Sequence, residues 1–184
     1  MKTRYKSDTF SGIQAINQLF SKKNKDDQFS DVSQILLDEL LNIYPQTERV
    51  IKNCKYSHGK LTAELISKAA NYIIVEPDYY TASQLVLAVS QMGYIIGGLL
   101  IKDASFNQID SNFYTIFLSK IEKLECYYTK FNMAFRKKII KTNDNLIEMN
   151  VVEAKYYPIK KQFFVELVIR VGESFYAETQ LITT

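Results

Sequence analysis

Three groups of residues stand out for the chemistry they could do. The first opens an uncharged run. Thr81-Ala82-Ser83-Gln84 has the form of a capping box, in which the threonine hydroxyl takes an amide of the first turn and the glutamine reaches back. A helix start presents backbone N–H groups and the positive end of the helix dipole, so it can stabilise a developing oxyanion. Asp78 and Glu76 flank Pro77 just ahead of it. A carboxylate at that place is either a base or simply a group the dipole favours. The second group is Ser90-Gln91, polar in the middle of the same run. Buried polar groups need partners; here those are either substrate and water or strand backbone. The third is Arg136-Lys137-Lys138 with Lys141. It can bind phosphate, or it is the solvated end of a strand. Lys160-Lys161 is a weaker pair of the same kind.

Other chemistries are excluded by what is scarce. His58 is the one histidine, and Gly59 beside it marks a turn. That removes histidine triads and dyads and most metal sites. Cys54 and Cys126 have no CxxC spacing, so a disulfide scaffold and a thiolate zinc site are not expected. Both read as buried strand residues. No metal and no cofactor are expected. The chain has 184 residues, 47% of them apolar and 23% charged, which suits one domain or one domain with a tail. A net charge of +3 is too mild to argue for nucleic acid. The basic start, Met1 to Lys6, is followed by no apolar stretch, so the reading is a reduced, cytoplasmic protein without a secretory signal.

The elements that would position these groups can be read from spacing. Residues 1–30 are polar; Ile13, Ile16, Leu19 and Phe20 recur at helical spacing and suggest a short amphipathic helix before a charged break. The domain proper is expected over 31–184. Asp31 followed by Gln34 suggests a capped helix, with Val32, Leu36, Leu40 and Ile43 on one face and Tyr44-Pro45 ending it. Strands are expected near 49–57 and 60–68, joined by the two-residue loop His58-Gly59. No charged residue occurs from Tyr79 through Ile101. Leucines, valines, isoleucines and Met92 cover nearly every side of that helix, so it is buried in protein or in lipid. Ser83, Gln84, Ser90 and Gln91 interrupt it, and strands flank it, which favours a protein core over a membrane span. Gly93, Gly97 and Gly98 would let strands come close. After residue 112 the signal is β: an aromatic, β-branched stretch over 114–135, then strands near 146–154, 162–171 and 174–182, the last two joined by a turn at Gly172. One very apolar helix inside a mostly antiparallel chain implies a curved sheet wrapped around that helix.

This layout resembles the hotdog fold, and more closely the FcoT-like long-chain acyl-CoA thioesterase family. Three stretches carry the resemblance: residues 36–44 with Cys54-Lys55-Tyr56-Ser57; Tyr72-Ile73 through residues 79–87, then Ser90-Gln91-Met92-Gly93-Tyr94; and Phe135-Arg136-Lys137-Lys138-Ile139 leading into the last strands. The resemblance implies an α+β hotdog domain that hydrolyses fatty acyl thioesters of coenzyme A or an acyl carrier protein. It also implies a homodimer, or an assembly of dimers, with the acyl pocket between copies. The family's two site tyrosines fall on Tyr44 and Tyr72. Its two asparagines fall on Thr81 and Ser90, so both are replaced here. With Asp78, these make the catalytic candidates; Tyr80, Gln91, Arg136 and Lys137 are the substrate-binding ones. A hotdog dehydratase needs a histidine at the helix entry, and none stands there. A non-catalytic acyl-thioester-binding protein on the same fold is the competing expectation.

Overall fold

A computed structural model of the chain describes residue 20 and residues 28–67, 77–103, 109, 112–142 and 145–183. Most of the amphipathic 13–20 stretch, Glu76 and the candidate Tyr72 lie outside these.

Strand β1 (Ser30–Asp31) precedes helix α1 (Gln34–Leu40). The cap of α1 is Ser33, whose side chain accepts the Leu36 amide, so Asp31 is a strand residue and not the cap. The helix buries Leu37 and Leu40 and leaves Ile35 exposed. It ends four residues before Pro45, at a cap on Leu41. A single turn of 3-10 helix, Gln46–Glu48, leads to strand β2 (Ile51–Ser57) and strand β3 (Lys60–Leu65). The connection is the expected hairpin: His58 and Gly59 both have positive φ, +40° and +80°, as a two-residue turn of this hand requires.

Helix α2 (Ala82–Lys102) is the uncharged run, closed by Lys102 alone. It is long and apolar enough to cross a bilayer, yet it is mostly buried in protein. Helix α3 (Phe113–Glu122) follows. This corrects the expectation of β structure from 114 onward. Phe113, Phe117 and Ile121 recur every four residues and are all buried, so packing of one helical face overrides the β propensity of a Phe-Tyr-Thr-Ile-Phe stretch. Strands β4 (Cys126–Phe135), β5 (Leu146–Tyr157), β6 (Gln162–Val171) and β7 (Phe175–Thr183) complete the described chain. Gly172, at φ +49°, makes the turn between β6 and β7.

The described strands form one antiparallel sheet in the order β1-β2-β3-β5-β6-β7-β4. The inward side chains of β6 and β7, among them Phe163, Val165, Leu167, Ile169, Phe175 and Leu181, are buried with α2 in one core. A curved antiparallel sheet around one central helix is the hotdog fold. The three helix glycines accept mainly helices, not the expected strands. A Cβ at Gly97 would meet Phe117 of α3 at 2.9 Å, and one at Gly98 would collide with Leu40 of α1. Only Gly93 takes a strand residue as its nearest neighbour, Tyr128 of β4.

Both cysteines are free and buried. Burial pushes the Cys54 and Cys126 thiols up to about 12. The folded chain therefore keeps two protons that an unfolded chain releases above about pH 8.5. Their stabilising contribution is complete below that pH and is lost as the pH rises toward 12. Unfolding free energy should fall by about 1.4 kcal/mol per pH unit for each thiol in that window. Urea titrations at pH 8 and near pH 11 check this; equal midpoints would contradict it.

Candidate functional site

The helix entry is built by a short pairing that the sequence did not reveal. Residues 78–80 run antiparallel to residues 139–141. Tyr79 and Ile140 form a β-bridge, the Tyr80 amide donates to the Ile139 carbonyl at 2.9 Å, and the Lys141 amide donates to the Asp78 carbonyl at 2.8 Å. The Tyr80 ring is buried, and its hydroxyl donates to the Leu65 carbonyl at 3.2 Å, which ties the end of β3 to the helix start. Lys138 and Lys141 of the basic run thereby come to the segment just ahead of α2. Lys138 Nζ lies 5.0 Å from the centre of the Tyr79 ring. Arg136 and Lys137 are exposed, and the Arg136 amide donates to the Ser174 carbonyl. An open cavity of about 470 Å³ adjoins this end, lined by Lys138, Ile140, Asn145, Leu146, Val171 and Ser174 among others.

The capping box forms as read. Thr81 Oγ1 accepts the Gln84 amide at 3.3 Å, and Gln84 Oε1 accepts the Thr81 amide at 2.9 Å. The threonine hydroxyl also lies 3.0 Å from Ser83 Oγ. It is thus occupied within the chain. Asp78 is exposed just outside the first turn, and Ala82 begins the helix with its N–H at the positive end of the dipole.

A second polar group lies nine residues on, about 13 Å along the helix. Ser90 Oγ donates to the Val86 carbonyl at 3.0 Å, one turn back. Gln91 is fully buried, and both ends of its amide meet backbone: Oε1 accepts the Val50 N–H and Nε2 donates to the Glu48 carbonyl, each at 3.0 Å. This fastens the 3-10 turn and the approach to β2 onto the helix. Tyr44 belongs here and not at the entry. Its ring lies 6.2 Å from Tyr94, which lies 6.4 Å from Tyr128. Tyr94 donates to the Cys126 carbonyl at 3.2 Å, and Tyr128 donates to the Ser90 and Val89 carbonyls at 3.0 and 3.3 Å. Burial raises all three hydroxyls above the usual tyrosine value, so at neutral pH they are donors and not bases.

Tyr94 and Tyr128 were not singled out from sequence. The signal for Tyr128 was Gly93, whose missing Cβ makes room for the phenol oxygen. Thirteen tyrosines gave no means of choosing the one on β4.

No family model matches the sequence, and no curated protein matches it. Solved structures do match by shape. The chain is similar to a thioesterase-superfamily protein from Shewanella loihica, at 6% identity over 70% of this chain and 86% of that one, with a TM-score of 0.43. It is similar to smu.793 of Streptococcus mutans, a structure bound to acetyl-CoA, at 8% identity over 89% and 94%, with a TM-score of 0.42. Against a proposed thioesterase from Shewanella oneidensis the TM-score is 0.52 at 9% identity, over 83% of this chain and 99% of that one, and the two share the fold.

Proposed function

We propose that the chain binds fatty acyl thioesters, of coenzyme A or an acyl carrier protein, and hydrolyses them at the start of α2. The pairing of residues 78–80 with 139–141 carries this reading. It sets a capped helix start beside a basic run and an open cavity. One end of the fold then offers a dipole for an oxyanion and cationic side chains for phosphate. The shared fold of a proposed thioesterase supports the reading.

Hydrolysis needs a donor to the oxyanion, a held water and an apolar slot. The Ala82 amide is the donor in this reading, because the Thr81 hydroxyl serves the cap. One such donor contributes about 2.7–4 kcal/mol in a transition state. Asp78, exposed beside it, is assigned to the water as base. Arg136 and Lys137 are assigned to phosphate, and Tyr80 shapes the entry. Tyr44, Tyr72 and Ser90 keep the catalytic roles that the resemblance implies; Gln91, whose amide is spent on Val50 and Glu48, is not assigned to substrate. The glycine notches of α2 are filled by Tyr128, Phe117 and Leu40, so the acyl slot is assigned to the boundary between two copies. β4 ends the described sheet, and Tyr127, Met133 and Phe135 are exposed along it. A homodimer joined at this strand is therefore part of the proposal.

Free-thiol release from acyl-CoA esters of graded length tests the reading. The expected result is turnover that rises with chain length. Asp78→Asn should lower it by about a hundredfold or more without loss of fold; an unchanged rate would remove Asp78 from the chemistry. The second reading, acyl-thioester binding without turnover, is favoured by one observation: Thr81, Ser90 and Gln91 all spend their side chains within the chain. Saturable binding with no thiol released would select it, and absence of both binding and release would contradict both.

A further inference from the structure

The opposite end of the sheet has its own character. β5 ends there, β6 begins, β7 ends and β4 begins: Tyr157 pairs with Gln162, Thr183 Oγ1 accepts the Phe163 amide, and Cys126 pairs with Thr183. Strands of ten residues separate this end from the helix entry by about 30 Å. Two connections project from it. Ile159, in the turn between β5 and β6, is 99% exposed, and Leu124, between α3 and β4, is 71% exposed. Tyr157 is exposed at the base of the first. Two strands separate the connections, so the tips lie roughly 10–15 Å apart. Leu124 also holds φ at +57°, where glycine or asparagine would be relaxed and a leucine is strained. That backbone turn closes the C-terminus of α3, the Leu124 amide donating to the Ile121 carbonyl at 3.0 Å and the Glu125 amide to the Lys120 carbonyl at 2.8 Å, and it leaves the leucine side chain in solvent.

The charges around the tips are net positive. Glu125 is paired with Lys120 and Glu153 with Lys155, while Glu122 accepts from the neutral Asn42 amide and keeps its charge beside Lys123. Lys123, Lys160 and Lys161 are exposed and enter no ion pair among the described residues. Two convex turns with one or two apolar side chains each cannot cover the area of about 1,200 Å² or more that a stable contact between copies needs. A surface that accepts shallow, separate insertions and carries negative charge fits them.

We propose that this end of the sheet rests on an anionic lipid surface. Ile159 and Leu124 enter the interface, and Lys123, Lys160 and Lys161 meet headgroup phosphates. The contact is peripheral and reversible, and it is independent of whether the chain hydrolyses thioesters. Flotation of the full chain with vesicles tests it, using phosphatidylcholine alone and phosphatidylcholine with roughly a third phosphatidylglycerol, a composition chosen to carry surface charge. Binding to the anionic vesicles is expected, with little to the neutral ones. Each lysine neutralised should weaken it about fivefold, and added salt should weaken it further. Ile159→Ser should reduce partition about tenfold or more, as loss of a buried aliphatic side chain predicts. Leu124→Asn should do the same while leaving thermal stability unchanged or higher, because asparagine suits positive φ. No binding to anionic vesicles, equal binding to neutral ones, or binding indifferent to these variants would overturn the proposal. So would sedimentation showing that Ile159→Ser separates copies of the chain.

Discussion

Gln91→Leu is expected to lower the unfolding free energy by about 3 kcal/mol or more. The side chain is fully buried in a helix that is otherwise apolar, and leucine would suit that helix by every local criterion. The cost arises 41 and 43 residues away, at the Val50 N–H and the Glu48 carbonyl. Each would be left without its partner, at about 1–3 kcal/mol apiece. Val50 is 7% exposed, so water cannot readily replace the glutamine oxygen. Gln91→Glu separates the two bonds. Its carboxylate can still accept from Val50, but once ionised it cannot donate to Glu48, and burial disfavours the charge. That variant should be closer to the parent at pH 4 than at pH 8. Denaturant titrations decide the matter, and a loss under 1 kcal/mol for Gln91→Leu would mean that the amide is not holding the 3-10 turn.

Gly93→Ala is the second large effect. Alanine gains about 1 kcal/mol of helix propensity over glycine. Its Cβ would collide with the Tyr128 hydroxyl, so the tyrosine must withdraw. Withdrawal breaks the bonds to the Ser90 and Val89 carbonyls and disturbs a packed ring cluster. Overpacking of about 1–3 kcal/mol and the lost buried bonds outweigh the propensity gain, for a net loss of about 2 kcal/mol. Tyr128→Phe removes the oxygen and moves the nearest contact out to the ring carbon at 3.0 Å. In that background Gly93→Ala should cost at least about 1 kcal/mol less, a coupling that a double-mutant cycle reads directly. Additive losses would mean that the collision is relieved elsewhere.

These two residues mark where sequence reading stops. Hydrophobic period and local turn chemistry are one-dimensional signals, and they located α2 with its capping box, the His58-Gly59 hairpin and the three C-terminal strands. They failed where tertiary packing decides. Phe113, Tyr114, Ile116 and Phe117 favour a strand by composition, yet the four-residue spacing of Phe113, Phe117 and Ile121 fits them as a helix against the core. Asp31 and Ser33 are both good caps, and pairing of Asp31 with Lys55 in the sheet leaves the cap to Ser33. At the candidate site, the order Thr81, Ser90, Gln91 was legible as polar groups on an apolar rod. Which atoms they bond was not, because their partners are backbone groups brought in by separate elements. The joining of the Arg136–Lys141 region to the helix entry was equally hidden, since backbone pairing of residues 78–80 with 139–141 carries no residue code.

The assignment of the thioester carbonyl to the start of α2 is tested most directly by amide hydrogen exchange. The full chain would be compared with and without a hydrolysis-resistant thioether analogue of a long-chain acyl-CoA. The account predicts slowed exchange at the Ala82 amide together with residues 136–141. Saturation by the analogue with exchange at Ala82 unchanged, and protection confined to other elements, would contradict it.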